Sequence, residues 1–176
     1  MDVFPKVRGE RFHQLKLGEL FIYAANAGER FYAMKVQALE SGDDAMMIPL
    51  GPQLPTPLDG CYLLQWQVTT VLSLGTDFQV VLPSEPSAWS VNSPSRDPIC
   101  LAVSGDQLYV CANSSNHPSM FAPVYVNMKT GELSKKLPGS AVYTNSWAID
   151  IGDGKGRLQR LIQYPLKQQR DVSAER

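Results

Sequence analysis

The chain has 176 residues, 44% of them apolar and 19% charged, with a net charge of −1, a length that holds one domain or two small ones and buries roughly 70% of the surface exposed when unfolded. The near-zero charge hides a split: Val36 to Met128 carries eight carboxylates (Glu40, Asp43, Asp44, Asp59, Asp77, Glu85, Asp97, Asp106) against one base, Arg96, and the other fifteen of sixteen bases lie toward the two ends. So base-poor a middle argues against a duplex-nucleic-acid binder, which needs Lys and Arg to displace condensed counterions, and no run of eighteen apolar residues offers a spanning helix.

The charge split is instead suited to orienting copies head to tail or to presenting an acidic face to a basic partner. Met1 to Gly18 mixes charged and apolar residues with no leader pattern. Three cysteines, an odd number, make no disulfide framework. Together these predict a soluble, cytoplasmic protein that works without membrane or nucleic acid.

Along the chain, short alternating runs separated by Gly, Pro, Asn and Asp predict antiparallel strands with little helix. Leu20 to Ala25 and Phe31 to Ala38 form a first pair across Asn26-Ala27-Gly28-Glu29, and Ala45 to Ile48 returns as a third strand, so residues 1–48 read as a small β meander. Pro49, Pro52, Pro55 and Pro57 predict an extended connector over 49–60, since proline lacks a ladder donor. The main β body follows over 61–166, and 167–176 is a polar tail; the whole may equally be one domain.

Tyr62 to Leu74 alternates strictly. A Gly75-Thr76-Asp77 loop would set Leu74 opposite Phe78, Leu72 opposite Val80 and Thr70 opposite Leu82, which predicts a long hairpin. Pro83 to Pro98 holds four prolines and five serines without a strand pattern, long for a passive connection. Ile99 to Val103, Leu108 to Ala112, Val124 to Met128 and Leu133 to Leu137 continue the sheet, with Gly131 supplying positive φ in the last turn. Val142 to Ile151 reads as one strand, with Tyr143 and Trp147 on the same core face. Arg157 to Tyr164 suits either a helix turn or a strand. The fold class is therefore all-β: antiparallel hairpins and meanders forming a barrel or sandwich, in one or two modules.

Few residues suggest chemistry. With Gly105-Asp106 as a two-residue turn, Ser104 pairs with Gln107 and Cys100 falls directly opposite Cys111 at a hydrogen-bonded site, where a disulfide is strained; a labile thiol pair and two small packed side chains both fit. Ile99, Leu101, Val103, Leu108 and Val110 make the opposite face uniformly apolar, so the cysteines share the more mixed face. A metal site lacks ligands, since there is no Cys-x-x-Cys and only His13 and His117. His13 reads as partly buried beside Phe12, and His117 as a loop residue. Gly152-Asp153-Gly154-Lys155-Gly156-Arg157 matches neither phosphate-loop spacing and reads as a hairpin turn. Glu40, Asp43 and Asp44 read as a solvated loop, and no nucleophile motif is present.

Trp89, alone among small residues in the long loop, is either an interface anchor or a lid on its own core. Trp89, Arg96, Tyr109 and His117 are the candidate interface residues, and Cys100 with Cys111 the candidate thiol pair. No catalytic residue, cofactor or metal is expected. The composition points to a non-enzymatic protein that binds or inhibits a protein partner or assembles with itself; the alternative is a small-ligand-sequestering β-barrel.

Overall fold

Side chains that alternate between two faces need a covering layer on each apolar face, and this chain satisfies that need with three antiparallel sheets. The computed structural model describes residues 7–24, 30–37, 46–51, 64–65, 70–92, 99–113, 123–152 and 156–164. The first sheet contains β1 (Arg8–Arg11), β2 (Leu20–Ala24), β3 (Arg30–Val36), β4 (Met46–Gly51), β5 (Leu64–Gln65) and β6 (Thr70–Gly75), in the order β1-β6-β2-β3-β4-β5. The third and smallest opens with β7 (Phe78–Val81), ordered β14-β13-β7 with β13 (Ala148–Gly152) and β14 (Leu158–Gln163). The second sheet has the five-stranded order β11-β10-β9-β8-β12, from β8 (Leu101–Ser104), β9 (Gln107–Asn113), β10 (Pro123–Asn127), β11 (Leu133–Ser134) and β12 (Val142–Thr144).

The all-β expectation holds, in a sandwich-like form: no sheet closes into a barrel among the described residues. The first sheet is nevertheless not flat. Gln65 and Thr70 pair toward opposite sides of it, four strand spacings apart. Flat, those spacings span about 19 Å before any offset along the strands, whereas the intervening chain reaches about 18 Å at full stretch, so the sheet curls.

Both faces of this sheet are buried. Phe21, Tyr23, Phe31, Ala33, Met47 and Val71 point to one side, where Phe12 and Leu15 cover them. Leu20, Met34, Val36, Met46, Ile48, Leu50 and Leu74 point to the other, into a core shared with Leu101, Val110, Val126, Trp147, Ile149 and Ile162 of the other two sheets. One hydrophobic mass therefore ties all three sheets together. Two glycines bring their backbones into direct contact: a Cβ on Gly131 (φ +71°) would lie 2.3 Å from Gly18 N and 2.8 Å from the Lys35 carbonyl. No helix among the described residues is long and apolar enough to cross a membrane.

Several elements depart from the sequence expectations. The long hairpin does not form: β6 pairs with β1 on one side and β2 on the other, and β7 pairs with β13. With both edges of β6 occupied, β7 has nowhere to join it, and the chain crosses to another sheet at Gly75 (φ +84°). Pro49 is not in a connector but inside β4 opposite Ala33, beside a register shift that accommodates its missing N–H. The sheet boundary falls at Thr76–Asp77, after β6, since β4, β5 and β6 all belong with the first meander. The expected strand over 142–151 is broken at Trp147 into β12 and β13, in different sheets. The ambiguous stretch after Arg157 is strand β14. Elsewhere the predicted pairs hold, with β2 on β3 and Ser104 opposite Gln107 across the Gly105-Asp106 turn. Most of the proline segment, the start of the expected long strand and the 167–176 tail lie outside the described residues.

Candidate functional site

The Pro83 to Pro98 loop starts with a single 3-10 turn, Pro86–Ala88, after which Trp89 N–H returns to the Pro86 carbonyl at 3.2 Å. The Trp89 indole donates to the Pro83 carbonyl at 3.3 Å and the ring is half-buried, so it both closes its own loop and shows a face. Next, Ser90 exchanges two backbone hydrogen bonds with Tyr143, 2.9 Å and 2.7 Å long. That bridge extends the five-stranded sheet by one residue beyond β12. Beside this bridge Val142 sits opposite Val103, itself opposite Leu108, and Val91 is the residue that follows bridged Ser90. An apolar row of Leu108, Val103 and Val142 thus runs out to the rim, where Val142 is 38% exposed and Val91, just past the bridge, 79% exposed. The row is invisible in the sequence because its members come from three separate stretches; only the strand pairing reveals it.

The other named candidates divide. Arg96 and His117 lie outside the described residues, as do Glu40, Asp43 and Asp44. Tyr109 is buried, and its hydroxyl hydrogen-bonds Gln107 Oε1, which also accepts from Asn127 Nδ2 at 3.2 Å. It presents little surface to a partner. His13 is exposed, against the expectation of partial burial, while its neighbour Phe12 takes the core position. Cys111 N–H donates to the Cys100 carbonyl at 2.8 Å, one step beyond the last paired residues of β8 and β9. Cys100 is buried and Cys111 half-buried, and both carry thiols. The mixed face they share is more buried than its composition suggests, with Ala102 and Ser104 also inaccessible.

Sequence reading missed two ionic groups built on buried side chains, Lys35 and Asp150. Lys35, in β3, reaches under the 3-10 turn at Phe12–Gln14, where Nζ donates to the carbonyls of Phe12 (3.2 Å), His13 (2.9 Å) and Leu15 (2.7 Å). Its charge also lies 5.5 Å from the Phe12 ring centre. Burial pushes the Lys35 ammonium below the ordinary lysine range, partly countered by the charge of Glu19. Glu19 is buried and accepts from Ser73 Oγ and, at 2.8 Å, from Lys16 N–H. With three donors spent on three carbonyls, Lys35 has none left for a substrate; it is an anchor. Asp150 and Arg160 form the second group, a two-pronged pair across β13 and β14 in which the carboxylate holds the guanidinium above its ordinary range. Lysine at strand period two, with an acidic residue immediately before its paired strand, was the available signal for the first.

Among the described residues no three His, Cys, Asp or Glu side chains gather as a metal site would require. No protein-family model, curated protein or solved structure matches the chain.

Proposed function

We propose that this is a non-enzymatic binding or assembly protein that engages a protein surface through the rim formed by Trp89, Val91 and Val142. The observation that carries the reading is the apolar row ending in Val142, 38% exposed, with Val91, 79% exposed, next to the bridge and two residues from a half-buried tryptophan. Apolar side chains scattered singly mean little, but a contiguous row at a sheet margin is what a partner would cover, with the aromatic as anchor. The base-poor middle of the chain supplies the second support. Asp77 and Glu85 fall in it, and the loop that bears the rim belongs to it, so a basic partner or the base-rich part of another copy suits this side.

Native mass spectrometry of the protein purified from its own cell, with light scattering at low and high salt, tests the reading. The expected result is an oligomer or a stoichiometric protein complex that Val91→Asp weakens at least tenfold while the thermal midpoint stays unchanged. A salt-independent monomer, with Trp89→Ala and Val91→Asp both equal to wild type in every pull-down, overturns it. The rival, a ligand-sequestering barrel, needs room where rings are packed: Phe12 to Phe21 centres are 5.4 Å apart and Tyr23 to Phe31 centres 5.2 Å.

A further inference from the structure

We infer that Cys100 and Cys111 form a reversible disulfide site, oxidised by low-molecular-weight disulfides. The inference stands apart from the protein-binding reading and rests on four features of the β8–β9 hairpin. First, the register Leu101 to Val110, Ala102 to Tyr109, Val103 to Leu108 and Ser104 to Gln107 carries on to place the two cysteines opposite one another, as the bond from Cys111 N–H to the Cys100 carbonyl confirms. Directly opposite residues have Cβ atoms about 4.5–5.5 Å apart, and a disulfide needs about 3.5–4.5 Å, so a small backbone adjustment suffices. Second, that adjustment is available on one side only. Cys111 lies within β9 and is paired with Tyr125 of β10, whereas Cys100 lies outside β8, between it and Ile99.

Third, Ile99 is in the left-handed region at φ +55°, an unfavourable conformation for a β-branched residue, and it is buried. Its carbonyl is held by the Trp147 indole at 3.0 Å. Cys100 therefore sits beside a backbone step that is already displaced from the ladder. Fourth, the two thiols differ in access: Cys111 is half-buried and Cys100 fully buried. That difference orders the chemistry.

The Cys111 thiol loses its proton and its sulfur bonds to one sulfur of the small disulfide, whose other sulfur departs as a thiolate and takes up a proton. The Cys100 thiol then loses its proton and attacks the Cys111 sulfur, forming the Cys100–Cys111 bond and expelling the second small thiol. Two protein thiols are oxidised and one small disulfide is reduced to two thiols. A bridge at a hydrogen-bonded cross-strand pair is strained and hence more easily reduced than a relaxed one, which makes the site reversible instead of structural.

The test uses the folded full chain and oxidised glutathione, followed by acid quenching, trypsin digestion and mass spectrometry. Cys100 and Cys111 share the tryptic peptide between Arg96 and Lys129, which has no internal Lys or Arg, while Cys61 falls in a different one. The expected product is that peptide lighter by two hydrogens, without glutathione, restored by dithiothreitol. Cys100→Ser is expected to stop at a lasting glutathione adduct on Cys111. Cys111→Ser is expected to acquire its adduct on Cys100 at least tenfold more slowly. Persistence of both thiols under a large excess of oxidised glutathione, a wild-type adduct on Cys111 that never resolves, or closure only in the presence of urea would each overturn the inference.

Discussion

Tyr23 and Lys35, both on the face covered by Phe12, titrate in opposite senses. Burial pushes the Tyr23 phenol up to about 12 from 10.0. Between those values the folded protein keeps a proton that the unfolded chain releases, so this group's stabilisation is complete below about pH 10 and is lost as pH rises toward 12. Its size is about 2–3 kcal/mol. Lys35 is lowered, so just below the ordinary lysine range the unfolded chain holds more protons and stability rises with pH. Tyr23→Phe is therefore expected to flatten the alkaline fall in stability, measured by urea denaturation from about pH 9 to 11.5; an unchanged profile would refute the assignment. Lys35→Met leaves three carbonyls without their donor and is expected to cost about 2–4 kcal/mol at neutral pH, read from the same denaturation curves. At Ile99 the usual ranking of substitutions reverses. Both Ile99→Ala and Ile99→Gly lose the buried side chain, but only glycine also relieves the positive φ, so Ile99→Gly is expected to be the more stable of the two by about 1 kcal/mol in urea melts.

Several paired strands were legible where turn chemistry and alternation agreed. The Gly105-Asp106 hairpin, the β2–β3 pair and the positive φ of Gly131 all followed from local signals. The Tyr62 to Leu82 hairpin failed for a reason that local signals do not contain. Its alternation is real, but alternation specifies faces and not partners, and β1, far earlier in the chain in a stretch of mixed charge, takes the edge that β7 would have used. Pro49 misled in the same way, because a register shift beside it, with Tyr32 opposite Gly51 and Ala33 opposite Pro49, admits a proline that propensity would expel. Two glycines with similar backbone angles separate local from tertiary demand. Gly75 has open space where a Cβ would go, so Gly75→Ala is expected to cost only the left-handed penalty of about 1–2 kcal/mol. Gly131→Ala would collide with the backbone of Gly18 and Lys35, neither of which can swing aside as a side chain would. Its cost is expected to exceed 3 kcal/mol, visible as a markedly lower urea midpoint than for Gly75→Ala.

The candidate rim was half legible over the molecule as a whole. Trp89 stood out as a lone aromatic in a polar loop, but Val91 acquired meaning only when one bridge brought Ser90 to the edge strand where Val142 is aligned with Val103 and Leu108. Charge segregation was plain in the chain, and what it orients is decided by the salt series proposed above. The sheets also partition the chain cleanly: every ladder of β1 to β6 lies before Thr76, and every ladder of β7 to β14 lies after it. Severing the peptide bond between Thr76 and Asp77 would therefore cut no strand pairing among the described residues. The fragments 1–76 and 77–176 would each retain their own hydrogen-bonded scaffold while baring one side of the shared apolar mass, with Gly18 on one half and Gly131 on the other as matching contact points. Such halves are natural components for a split reporter, silent apart and reconstituted when brought together.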